Sequence, residues 1–175
     1  MEVKRAGDIM VPLDEYPHIP YWFTLRQATA ELEKSELEMA DGRKSLPRVL
    51  LIFDEKYQLM GMARRRDILR GLEPEFLSGR PIEHRKTLFD VKVDPNLSEL
   101  SYDKLIEGIR RQAERPIRDV MRPIAATVDV RDHLVKVIYE LVDRNLSVLP
   151  VLQEGKVVGV VRSVDAFREI AAILL

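Results

Sequence analysis

The chain contains no cysteine, and its single tryptophan is Trp22. Without cysteine there are no disulfides, thiol nucleophiles or thiolate metal sites, so any chemistry must come from oxygen and nitrogen groups, and a reducing compartment is the matching expectation. No stretch approaches the roughly 18 uninterrupted apolar residues that span a bilayer. The opening residues carry Glu2, Lys4, Arg5 and Asp8 where a signal peptide would carry an apolar core. No membrane association and a cytoplasmic location are the default expectations. Charge of one sign is also scarce: 28 Lys and Arg against 29 Asp and Glu leave a net charge of −1, which gives no global field for nucleic acid. His18, His84 and His133 have no partner at a metal-site spacing. Neither a Ser-His-Asp spacing nor a Walker-type phosphate loop occurs, so the residues support neither an enzyme nor a required cofactor.

What is present is an ordinary globular balance, 46% apolar and 33% charged over 175 residues, and an internal repeat. Asp8-Ile9-Met10-Val11-Pro12 recurs as Asp119-Val120-Met121-Arg122-Pro123. A segment of helical period follows each: Leu25, Ala28 and Leu32 in the first half, and Val130, Leu134, Val137, Ile138, Leu141 and Val142 in the second. Leu46-Pro47 and the run to Phe53 are matched with Leu149-Pro150-Val151-Leu152 as strands, the proline expected at the strand start. Turns at Asp54 to Tyr57 and at Glu154-Gly155 lead into second strands, Leu59 to Ala63 and Val157 to Val161, making a hairpin in each half.

Each half closes on Gly-x-x-x-x-x-Asp before a helix, at Gly61 to Asp67 and Gly159 to Asp165, with the aspartate suited to a helix cap or first turn. The offset between halves falls from 111 residues at Met10 and Met121 to 98 at Asp67 and Asp165. The extra residues of the first copy are assigned to its loops. The organisation expected is a first βαββα repeat over 1–72, an insert over 73–115 and a second repeat over 116–175. Within the insert, Tyr102, Leu105, Ile106 and Ile109 predict a helix to about Glu114 with Ser101 as N-cap. Phe76, Leu77, Leu88, Phe89 and Val91 supply too much apolar surface for a disordered tether.

This order of elements, repeated once, resembles the CBS (cystathionine β-synthase) domain pair, most closely over Asp129 to Phe167. The resemblance implies an α+β fold of tandem βαββα repeats packed with pseudo-twofold symmetry. It also implies two clefts for adenosine-type ligands (AMP, ADP, ATP or S-adenosylmethionine), a homodimer, and a regulatory role alone or with an effector enzyme or transporter. Asp67 and Asp165 occupy the family's ribose-binding position, where a carboxylate can chelate two hydroxyls. Arg64, Arg65 and Arg162 lie where a phosphate would meet a helix N-terminus. Lys44 and Ser45 in the first copy, and Ser147 and Val148 in the second, stand where the family lines its clefts.

The family most often has Thr or Ser where this chain has Arg64 and Arg162, so these side chains either strengthen contact with an anion or fill the cleft. In the second case the pair is a non-liganded scaffold for dimerisation or partner regulation. Asp67 and Asp165 are equally readable as helix caps, and Arg64 to Arg66 as a solvated charge run, of which at most two face one cleft. A nucleic-acid role for Arg64 to Arg66 with Arg110, Arg111 and Arg115 is weakened by Glu107 and Glu114 among them. Pro17 to Phe23 is read as an apolar cover over the first helix, and Ile170 to Leu175 as a surface needing burial in a dimer or within the chain.

Overall fold

Val49 to Phe53 is an unbroken apolar run, and all five residues are buried, so the strand they form (β5) must be covered on both faces. The computed structural model describes residues 3–38, 42–74 and 102–175 and shows what covers them. Leu50 and Ile52 join Ile19, Leu25, Ala28 and Leu32 beneath the helices of the first repeat. Val49, Leu51 and Phe53 alternate to the other face and meet Val148 and Val160 of the second. A third core, with Val137, Leu141, Leu149 and Val161, lies beneath the second repeat's helices. The fold is α+β, two repeats packed sheet against sheet.

In chain order the elements are α1 (Ala6–Ile9), β1 (Val11–Pro12), β2 (His18–Pro20), α2 (Leu25–Lys34), β3 (Leu37–Glu38), β4 (Lys44–Ser45), β5, β6 (Leu59–Arg64) and α3 (Arg65–Leu72). After the insert come α4 (Tyr102–Gln112), β7 (Arg122–Pro123), β8 (Val128–Asp129), α5 (Leu134–Asp143), β9 (Val148–Gln153), β10 (Lys156–Arg162) and α6 (Ser163–Leu174). Helix α2 begins with a capping box between Thr24 and Gln27. The β9–β10 hairpin turns on Glu154 and Gly155, both at positive φ (51° and 76°), as a two-residue primed turn requires.

The two sheets run β2-β5-β6-β7 and β1-β10-β9-β8. Each therefore takes its edge strand from the other repeat: β1 pairs antiparallel with β10, and β7 with β6. The exchange explains the spaced motifs. A Cβ on Gly159 would strike the carbonyl of Val11, and one on Gly61 that of Arg122, while Met10 and Met121 lie over the two glycines. The methionine of each opening motif thus rests on the glycine of the other repeat's closing motif, and only glycine lets the backbones approach.

Several expectations change against this frame. The Leu-Pro match implied an offset of 103 between Pro47 and Pro150, but the ladders align Val49 with Val148, an offset of 99. Leu51, not Pro47, is the counterpart of Pro150. Pro47 precedes β5, whereas Pro150 lies inside β9, one residue before the ladder to β8 starts at Val151. Repetition of a dipeptide was a weaker guide than hydrogen-bond register. Val142 is exposed rather than part of the α5 stripe, and Val130 precedes that helix. Helix α4 stops at Gln112, while Ser101 and the apolar residues from Phe76 to Val91 lie outside the described residues. Tyr21 and Phe23 pack on the first core, but Trp22 is exposed.

Gly159→Ala is expected to lower stability by about 1–3 kcal/mol, the cost of overpacking against backbone. Gly155→Ala, facing open space, should cost about 1 kcal/mol of left-handed strain. Urea unfolding midpoints check this, and equal losses would refute the close-approach account.

Candidate functional site

Strand exchange leaves a pocket where each opening motif meets the other repeat's closing helix. One pocket, of about 560 Å³, lies between Asp8 to Pro12 and the α6 residues Asp165, Arg168 and Glu169. Its pseudo-symmetric counterpart, about 350 Å³, lies between Asp119 to Arg122 and the α3 residues Asp67 and Arg70. A third cleft, about 690 Å³, is lined by Ser45, Arg65, Ser147, Val148 and Arg162 together with Arg48 and Ser163.

The two aspartates occupy equivalent positions and make equivalent bonds. Each is the third helical residue of its helix and accepts a bond from a backbone N–H, that of Arg64 to Asp67 (2.9 Å) and that of Arg162 to Asp165 (3.1 Å). Each also receives the guanidinium of the same arginine side-on. Arg162 donates through Nε to Oδ2 (2.8 Å) and through Nη2 to Oδ1 (2.7 Å) of Asp165. Arg64 donates likewise to Asp67, at 3.0 and 3.1 Å. Such bidentate pairing uses both carboxylate oxygens. The helix cap and the side-on pair are thus one structure, in which a single arginine supplies the backbone donor and both guanidinium donors to each carboxylate.

The repeats then differ. Asp67, almost wholly buried, accepts a further bond from Arg122 Nε at 2.8 Å. The residue matching Arg122 is Val11, so the first opening motif brings no arginine to Asp165, and the Asp165 pocket, which Arg168 also lines, is the larger of the two. Arg162 instead extends Nη1 to Ser45 Oγ at 3.1 Å, tying the repeats together. Both partners of the Arg162–Asp165 pair are about one-tenth exposed, at 8% and 10%. Tyr16 closes this region from below, its hydroxyl donating to the carbonyl of Val49 at 2.5 Å. Burial pushes its phenol well above the ordinary range, against the opposing charge of Arg162.

Of the residues singled out in the sequence, Ser45, Arg65, Ser147, Val148 and Arg162 share one cleft, Asp165 lies across Arg162 from it, and Asp67 stands apart with Arg64. Lys44 does not line these cavities and pairs with Glu36 at 3.1 Å. His18 is satisfied by the Tyr16 carbonyl and the Tyr57 hydroxyl, each at 2.7 Å. Sequence reasoning missed Arg122 and Arg48. The first was visible as the departure of the second opening motif from the first; the second was hidden by the misplaced Leu-Pro register.

Burial disfavours the charge on Asp67, but Arg64, Arg122 and the Arg64 N–H together outweigh it and hold the carboxyl well below the usual range. Its contribution to stability is therefore complete above the unfolded value of about 4 and is lost as pH falls towards the folded value. Asp67→Asn should cost about 2 kcal/mol at pH 7 and flatten the fall in stability below about pH 4. Urea unfolding at several pH values measures both. An unchanged acid slope would remove Asp67 from the account.

The CBS domain family model matches residues 117–172, the second repeat. No curated protein matches the sequence. Among solved structures, the CBS-pair protein CBSX2 from Arabidopsis thaliana has 17% identity and a TM-score of 0.66, covering 99% of this chain and 98% of that one. A structure of CBSX2 in complex with AMP has 19% identity and a TM-score of 0.63, covering 98% and 99%. The cytosolic domain of the Mg2+ channel MgtE in complex with ATP has 18% identity and a TM-score of 0.59, covering 95% of this chain and 48% of that one. At these identities the likeness establishes the fold. The second repeat thus carries the CBS domain match, and the chain across both repeats has the fold of CBS-pair proteins.

Proposed function

We propose that this chain is a cytoplasmic, non-catalytic regulatory module that senses an adenosyl ligand in the Asp165 pocket. The observation that carries the reading is the side-on Arg162–Asp165 pair. A carboxylate that already holds two parallel donors, in a pocket between repeats, has the arrangement that chelates the 2′ and 3′ hydroxyls of a ribose. Support comes from the shared fold with a CBSX2 structure in complex with AMP and an MgtE domain in complex with ATP.

A ribose reaches Asp165 only when Arg162 leaves it. Departure of Arg162 also strains its bond to Ser45, so occupancy and the contact between repeats are linked. A ligand that binds the arginine-released arrangement better shifts the population towards it. The Asp67 pocket, smaller and closed by two arginines, remains empty in this reading.

Calorimetric titration with AMP, ADP, ATP and S-adenosylmethionine tests the proposal. Micromolar binding of at least one is expected, weakened more than tenfold by Asp165→Ala, unaffected by Asp67→Ala and tightened by Arg162→Thr. No heat with any ligand, from folded protein free of copurified nucleotide, would favour the second reading: a scaffold whose clefts are permanently filled by Arg64 and Arg162.

The same pair is proposed to dimerise through its second repeat and to serve an effector enzyme or transporter. Val135, Tyr139 and Val142 form an exposed apolar stripe on α5, and Phe167 and Leu174 another on α6. The matching positions of α2 are Arg26, Ala30 and Glu33. Tyr139→Lys is expected to convert a dimer to a monomer in sedimentation equilibrium; a wild-type monomer would refute the dimer.

A further inference from the structure

The register that aligns Val49 with Val148 runs on to the hairpin ends, where Phe53 pairs with Leu59 and Leu152 with Val157. Phe53 and Leu152 are therefore equivalent, as are Leu59 and Val157, while Leu13 and Ile124 each follow the proline of an opening motif. All six line one cavity of about 670 Å³. Bounded by three matched pairs, it sits on the pseudo-twofold axis at the turn end of both hairpins, whereas Arg64, Arg162 and their aspartates stand at the other end. No residue assigned to the adenosyl reading lines it.

We propose that this cavity binds an amphiphilic carboxylate, an aliphatic chain with one anionic head. The core between the sheets ends here without a cover. Leu51 and Val160, in mid-strand, are fully buried, whereas all of the six lining residues except Phe53 are only half-buried. The walls suit an alkyl chain rather than a flat ring, because Phe53 already carries Tyr57 stacked on it (4.8 Å between ring centres, 14° between planes) and His18 edge-on. Lys56 and Lys156, one beside each hairpin turn, also line the cavity and select the head. Both are exposed and form no ion pair among the described residues, and no carboxylate lines the space between them. Their compact ammonium charges attract an anionic head, and each CH2 of the chain buried behind it is worth about fourfold in affinity.

The turn that carries Lys56 is held in place. Asp54 Oδ1 accepts from the backbone N–H groups of Lys56 (2.9 Å) and Gln58 (2.8 Å), and the Tyr57 hydroxyl between them bonds His18 at 2.7 Å. Lys156 follows the two-residue turn at Glu154 and Gly155. A nucleotide or polyphosphate fits poorly, since leucine and valine walls take water from its oxygens without replacing the lost bonds. The bound chain touches both repeats, so it stabilises their packing by mass action. The site shares no residue with the adenosyl pocket, and the two readings stand or fall separately.

Titration of the full chain with hexanoate, octanoate and decanoate, each below its micellar concentration, tests the proposal by calorimetry. One site per chain is expected, with affinity rising about tenfold or more from hexanoate to decanoate. 1-Octanol, which keeps the chain and lacks the charge, should bind more weakly than octanoate. Lys56→Gln and Lys156→Gln should each weaken decanoate binding about threefold, as suits exposed charge pairs, and together by about tenfold. Leu69→Ser, which removes an exposed apolar side chain of α3 outside the cavity, should change it by less than about twofold. Circular dichroism confirms that these exposed substitutions leave the fold intact. Absence of decanoate binding, or binding indifferent to chain length or to the lysines, would overturn the site. Equal loss in Leu69→Ser and the lysine variants would do so too, by showing adsorption to exposed apolar surface.

Discussion

The contact of two backbones over a glycine, made once at Gly159 and once at Gly61, is the constraint on which the other features depend. It lets the opening strand of each repeat lie in the other's sheet, and so sets the two repeats face to face with Val49, Leu51 and Phe53 against Val148 and Val160. It also defines the pockets. Because the exchanged strand ends beside the helix that follows the glycine strand, each first-turn aspartate is presented to a segment of the opposite repeat. A larger residue at either glycine would disturb the interface, the pocket and the edge of the sheet together.

Much of this was legible in the chain. Short apolar runs bounded by turn residues located the hairpins, helical period located α2, and the double occurrence of two spaced motifs revealed the repeat. The motifs did not disclose that they touch each other across repeats, since spacing along one copy carries no information about which copy it packs against. The Leu-Pro repetition misled for a related reason. Proline is tolerated both before a strand and inside β9 before its second neighbour arrives, so the same dipeptide marks two different places. Register had to come from hydrogen bonds, and with it came Arg48.

Arg64 and Arg162 show how one residue type sets the state of the carboxylate three positions later. A hydroxyl leaves the aspartate three residues later available, whereas a guanidinium satisfies it at once with charge-assisted bonds. Beyond that shared pairing the two repeats differ. In the first, Arg122 completes the closure of Asp67; in the second, Val11 stands in its place and Arg162 turns one nitrogen to Ser45. Duplicated halves thus carry unequal pockets while keeping one framework.

The exchange of edge strands also bears on the order in which the molecule can be assembled during synthesis. Val11 finds its partner at Val160, nearly the full length of the chain away. Until the ribosome has delivered that residue, the first repeat has its own hairpin and helices but an opening strand with nowhere to pair and a methionine with no glycine beneath it. Non-local closure of this kind is slow and leaves edges open to other chains while it waits. Neither repeat is a finished object by itself, and the native packing of the first is completed only once β10 of the second has been made.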